Sequence, residues 1–160
     1  MLEAPGEPEE APEERLQVSS TVEDALLDAD EVRRIVQGAL EYGGRGEVGL
    51  SVALLSEPEL CELHERFLGD PSPTDVISFD LGEDEGPVGE ICVSVDQALR
   101  VAAERGVRPQ RELALYLVHG VLHLCGHDDH EDEERARMRE AERAVLDRLG
   151  YEADDAPHDR

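Results

Sequence analysis

The stretch LVHGVLHLCGHDDHEDEE, residues 117–134, joins an apolar run to a block of acid and holds four of the chain's six histidines. The run starts upstream, in PQRELALYLVHGVLHLCG. Pro109 suits the first turn of a helix, where its missing N–H costs nothing, and Gly126 suits the residue just past the end. Between them the C-terminal half is apolar nearly all round, so this helix cannot lie on a surface with one face in water. It has to be the central buried helix, and the rest of the chain must supply the elements that enclose it.

A chain of 160 residues, 39% of them hydrophobic, has enough material for one such core and no room for two. Residues 1–14 carry six glutamates and three prolines and read as a disordered acidic tail, as does YEADDAPHDR at 151–160; the domain is expected over 15–150. RLQVSS alternates as a strand does, and GEVGLSVALLS repeats the pattern through Val48, Leu50, Val52 and Leu54. ADEVRRIVQGALEYGG places Val32, Ile35, Val36 and Leu40 on one helical face, ended by Gly43. EPELCELHERFLG is a second helix, with Leu60, Leu63, Phe67 and Leu68 predicted inward and Gly69 as its stop. TDVISFDL and GEICVSV flank the turn GEDEGP and are expected to pair as a hairpin or as near neighbours. DQALRVAAERG reads as a short helix capped by Asp96, and EDEERARMREAERAVLDRLG as a last amphipathic helix. The assembly predicted is an α+β domain: a small mixed sheet of about four strands packed with about five helices.

The 40 acids outnumber 15 bases, all of them arginine, for a net charge of −25. That balance argues against broad, non-specific nucleic-acid binding, which depends on clustered cations. Any RNA must meet a local cluster, and Arg100, Arg105, Arg108 and Arg111, leading into the buried helix, form the densest basic stretch outside the last helix. Cys61, Cys92 and Cys125 are odd in number and sit among apolar neighbours, as reduced core thiols do. No stretch approaches a membrane span and the N-terminus does not resemble a leader, so the expectation is a cytoplasmic protein with no membrane partner.

His119 and His123, four apart, share one face of the helix and aim two imidazoles at a common point. Gly126 can then turn the chain back over that face, and a third ligand is wanted just beyond. His, His four later, Gly seven later and a ligand ten later is the spacing of the metzincin zinc site, and position ten is Asp129. His130 is the alternate and His127 the third candidate. Zinc accepts nitrogen or oxygen equally at this distance, so spacing alone favours Asp129. Three protein ligands leave the fourth coordination position open, which marks a catalytic rather than a closed structural site. Zinc peptidases place a glutamate directly after the first histidine as general base; here that position is Gly120. RNA brings its own 2′-hydroxyl nucleophile and demands less of such a base.

HGVLHLCGHDDHEDEE resembles the motif of the YbeY family of bacterial rRNA maturation factors. SPTDVISFDL, VGEICVSV and LGYE resemble its other blocks in the same order, over about residues 15–152. The resemblance implies a single-strand-specific, metal-dependent endoribonuclease acting in 16S rRNA 3′-end maturation and ribosome quality control. With it come one zinc ion per chain, single-stranded rRNA as substrate, and a ribosome or ribosomal protein as partner. His119 and His123 match the family's first two ligands, while the third departs from it, with Asp129 where the family usually has histidine. The family often carries an arginine five residues before the proline of its PT block, a place taken here by Leu68. Arg66, two residues earlier, is a candidate catalytic group in its stead, weighed against an exposed ion pair on the helix surface. Thr74, Asp75 and Ser78 are candidates to face the metal cleft. A metzincin-like metallopeptidase and a non-catalytic, zinc-stabilised ribosomal module are the competing readings.

Overall fold

A computed structural model describes residues 15–70, 72, 74–82 and 87–151. The expected tails at 1–14 and 151–160 lie outside the described residues, apart from Tyr151. In chain order the elements are β1 (Leu16–Ser20), α1 (Ala29–Tyr42), β2 (Leu50–Leu55), α2 (Glu57–Leu68), β3 (Val76–Asp80), β4 (Gly89–Ser94), α3 (Val95–Arg105), α4 (Pro109–Leu124) and α5 (Asp132–Leu149). Four strands form one sheet in the order β1-β2-β4-β3. The first three in that order run parallel, and β3 pairs antiparallel with β4, Ser78 opposite Ile91, so the sheet is mixed and the fold α+β.

Strand alternation divides the core. Leu50, Val52 and Leu54 of β2 join Ile91 and Val93 of β4 in the main cluster, with α1, α3, α4 and α5 above them. The intervening residues, Ala53, Leu55 and Cys92 with Ile77 of β3, face the other way and meet Leu60 and Leu63 of α2. One face of the sheet thus carries four helices and the other a single one. At the centre of the thicker layer lies α4, buried at every position from Arg111 to Leu122. Its apolar circumference follows directly from that enclosure.

Asp28, Ser56 and Ser94 cap the helices that follow them, the last in place of the expected Asp96. Asp28 accepts from the Glu31 N–H at 2.8 Å to start α1, and Ser56 with Glu59 forms a capping box at the start of α2. At α3 the cap is Ser94, which accepts from the Gln97 N–H, rather than Asp96. Asp96 instead accepts from the Glu57 N–H at 2.7 Å and so binds the start of α3 to the start of α2, a partner 39 residues away that no local pattern could indicate.

Two further expectations are corrected. Phe67 and Leu68 are 57% and 61% exposed, because the last turn of α2 runs beyond the cover of the sheet; Phe67 meets Phe79 edge-on, with ring centroids 5.4 Å apart. Tyr151 lies one residue past the expected domain end, yet it packs against the main cluster and donates to Glu31 Oε2 at 2.5 Å. The three cysteines are free thiols. Burial pushes the Cys92 thiol up to about 12, which keeps it protonated and inert.

Contact between α4 and the sheet is close at Gly120. A Cβ there would stand 2.9 Å from Val76, 3.0 Å from Ile91 and 3.1 Å from the Ser78 hydroxyl. Ser78 Oγ donates to the Gly120 carbonyl at 2.9 Å, so this side chain fastens β3 to the backbone of α4. Losing one such bond in a part-buried site costs about 1 kcal/mol. Ser78→Ala is accordingly expected to lose about that much stability in urea denaturation while keeping its metal content, whereas a fall in metal content at unchanged stability would show that Ser78 acts at the metal site.

Candidate metal centre

The C-terminal half of α4 carries His119 and His123 on one face, and their rings meet edge-on with centroids 4.6 Å apart. The helix ends in a paired set of backbone bonds: His127 N–H to Leu122 O at 3.0 Å, and Gly126 N–H to His123 O at 3.1 Å. Gly126 adopts φ +96°, a left-handed conformation that an L side chain rarely takes, and this turn reverses the chain over the histidine face. Asp129 arrives on the returning strand of loop.

The three side chains converge. His123 Nε2 lies 3.1 Å from His119 Nε2, and Asp129 Oδ2 lies 3.5 Å from the first histidine and 3.6 Å from the second. A tetrahedral ion with ligand bonds of about 2.0 to 2.1 Å spaces its ligand atoms about 3.3 to 3.4 Å apart, and the separations found, 3.1 to 3.6 Å, bracket that value. Among the described residues this is the group of three or more His, Cys, Asp or Glu side chains that could hold a metal ion. Of the five sequence candidates the structure brings together His119, His123 and Asp129. His130 stands outside the group, exposed, its carbonyl accepting from Arg135. His127 is half-buried in the turn beside it.

The state of the imidazoles suits ligation. His119 Nδ1 lies 2.6 Å from Glu142 Oε2, both side chains being buried. A carboxylate accepts, so Nδ1 carries the proton and Nε2 presents its lone pair to the group. Burial, together with the neighbouring His119, pulls the His123 pKa below the usual imidazole value, partly opposed by Asp129 and Asp128, so the ring is held in its neutral form. Two imidazole nitrogens and one carboxylate oxygen are thus gathered around a common point. The donor set therefore fits a divalent metal.

Glu142 was missed in the sequence reading. Its signal was there: α5 buries Met138, Ala141, Val145 and Leu146, and a glutamate within that apolar stripe has to have a partner. Nothing local indicates that the partner is a histidine 23 residues earlier.

A family model described as Endoribonuclease YbeY matches residues 17–150. The chain belongs to the YbeY family. An endoribonuclease YbeY of Carboxydothermus hydrogenoformans is 37% identical over 139 residues, covering 86% of this chain and 95% of that one. That of Aquifex aeolicus is 36% identical over 124 residues, covering 75% and 83%. The solution structure of TM1509 from Thermotoga maritima shares the fold, with a TM-score of 0.59 over 89% of this chain and 99% of that one at 24% identity.

Measured against that membership, Arg66 does not join the metal group. It lies exposed on α2, the helix on the sheet face opposite α4, and its guanidinium sits 5.6 Å from the Phe67 ring centroid. The arginine stretch is also displaced from the site. Arg111 is 3% exposed and Arg100 is paired with Glu57 at 2.5 Å. At about 1.5 Å rise per residue, Arg108 stands roughly 20 Å from His123 along α4, at its opposite end.

If Glu142 fixes the tautomer and orientation of His119, Glu142→Ala should weaken metal affinity by roughly 10 to 100-fold. Glu142→Gln should recover part of the loss, since its amide oxygen still accepts from Nδ1. Competition titration with a chromophoric chelator measures both, and equal affinities in all three proteins would remove Glu142 from the centre.

Proposed function

We propose that this chain is a single-strand-specific, metal-dependent endoribonuclease that matures the 3′ end of 16S rRNA and serves ribosome quality control. In this reading it works in the cytoplasm with a ribosomal partner. The observation that carries the proposal is the convergence of His119, His123 and Asp129 at the end of a buried helix, in a chain of the YbeY family. His119 Nε2, His123 Nε2 and an Asp129 oxygen would hold one zinc ion, with His130 outside the set. An ion held there would supply Lewis acidity toward a phosphodiester oxygen.

The chain's own residues contribute position and protonation. Glu142 keeps the His119 proton on Nδ1, and the turn at Gly126 brings the Asp129 carboxylate over the imidazoles. The residue after the first histidine, where a zinc peptidase has its general base, is packed against Val76, Ile91 and Ser78 with no room for a side chain. This favours a substrate that carries its own nucleophile, as RNA does in its 2′-hydroxyl, over a peptide. Among the described residues no helix is long and apolar enough to cross a membrane.

The zinc-loaded protein should cleave a single-stranded oligoribonucleotide, leave its duplex intact and lose activity on chelation. Asp129→Ala should lose both metal and cleavage, falling at least 100-fold in rate, while His130→Ala should retain the metal. Absence of cleavage by the loaded wild type with zinc, manganese or magnesium would end the endoribonuclease reading, and a His130→Ala defect larger than that of Asp129→Ala would reverse the choice of third ligand.

A further inference from the structure

An endoribonuclease with a net charge of −25 has to hold a polyanion beside its metal, and the arginines leading into α4 lie at the wrong end of that helix. Beside the metal group there is a pocket between the turn and the first turns of α5, lined by Gly126, His127, Asp128, Glu134 and Arg137. Its wall is the same loop that delivers Asp129.

Arg137 is placed unusually for this surface. Arg33, Arg34, Arg100 and Arg135 are engaged by Asp30, Glu31, Glu57 and Asp132, respectively. Among the described residues Arg137 and Arg143 are the arginines with no hydrogen bond, ion pair or ring contact. Glu134, three residues before Arg137 and on the same side of α5, would be its natural partner. Its carboxylate instead turns back to the start of the helix and accepts from the Glu131 N–H at 3.1 Å, in a capping box. The cap thus leaves the guanidinium to the pocket. His127 also lines the pocket, and its Nδ1 is buried without a hydrogen-bond partner, a group that a ligand acceptor would satisfy in the tautomer protonated there.

We propose that Arg137, with His127 Nδ1 as a second donor, binds a phosphodiester of the RNA strand next to the one cleaved, which makes Arg137 a substrate-positioning residue. A guanidinium offers a planar fork of donors matched to two phosphate oxygens, and Nδ1–H adds a third. This rests on the endoribonuclease reading. Asp128 and Glu134 share the pocket and weaken its pull on an anion, so affinity depends on this one cation and is salt-sensitive at short range.

Kinetics of zinc-loaded wild type, Arg137→Gln, Glu134→Gln and Arg143→Gln on a single-stranded oligoribonucleotide, across a salt series, test the proposal. Arg137→Gln should raise KM about tenfold, the worth of a charged hydrogen bond, and reduce the salt slope by about 1, with metal content unchanged. Glu134→Gln keeps the cap through its amide oxygen, removes a repelling charge and should lower KM. Arg143, six residues further along α5, should be indifferent. A second readout does not need cleavage: anisotropy with a 2′-O-methyl oligonucleotide should show the same loss of affinity in Arg137→Gln. Equal binding by wild type and Arg137→Gln in that assay, or tighter binding abolished equally by Arg143→Gln, overturns the proposal. A wild type that binds through Arg137 but cleaves no RNA fails the endoribonuclease reading alone.

Discussion

The structure depends on the burial of α4. A helix enclosed from Arg111 to Leu122 gains its stability from apolar area removed from water, at about 25 cal/mol per Å². The polar groups carried inside it must be satisfied or they would cancel that gain. His119 is the test of this constraint. It is 8% exposed and lies in the same stripe as leucines and valines; the molecule satisfies its Nδ1 with Glu142 from α5 and aims its Nε2 at His123 and Asp129. The core and the candidate metal centre are therefore one construction, in which α5 packs against α4 through apolar side chains and through the Glu142 carboxylate that holds His119. Gly120 belongs to the same logic from the other side, since its missing side chain lets α4 settle on Val76 and Ile91.

Much of this was legible in local pattern. Pro109 and Gly126 bounded α4, alternation gave β2, and the spacing of His119, His123, Gly126 and Asp129 named the three side chains that the fold gathers. Each of these rests on backbone geometry within about one turn of helix, which sequence spacing encodes directly. The failures share the opposite character. Glu142, Asp96 and Tyr151 act through partners 23, 39 and 120 residues away, and the chain order carries no sign of those meetings. Phe67 and Leu68 continue the apolar period of α2, but periodicity reports which face is apolar and not how far the sheet beneath extends. The β1-β2-β4-β3 order likewise follows from parallel crossovers that no hairpin signal marks.

Charge shows the same division between local and global. The net charge argues against nucleic acid, and the densest arginine stretch in sequence turns out to be partly buried, partly paired and far along the helix from the metal. What matters for a phosphodiester within a Debye length of about 8 to 10 Å is which cation is left unengaged there. Arg33, Arg34, Arg100 and Arg135 are engaged by acids, whereas the cap that occupies Glu134 leaves the Arg137 guanidinium unpaired beside a small pocket that still carries Asp128 and Glu134.

X-ray absorption at the zinc edge of the purified, zinc-loaded protein tests the central claim most directly, because it reads the ligand atoms themselves. The account predicts one ion bound by two imidazole nitrogens and light oxygen donors at about 2.0 to 2.2 Å, with one imidazole contribution lost in His119→Ala and the spectrum unchanged in His130→Ala. A sulfur scatterer at about 2.3 Å, or three imidazoles falling to two in His130→Ala, would contradict it.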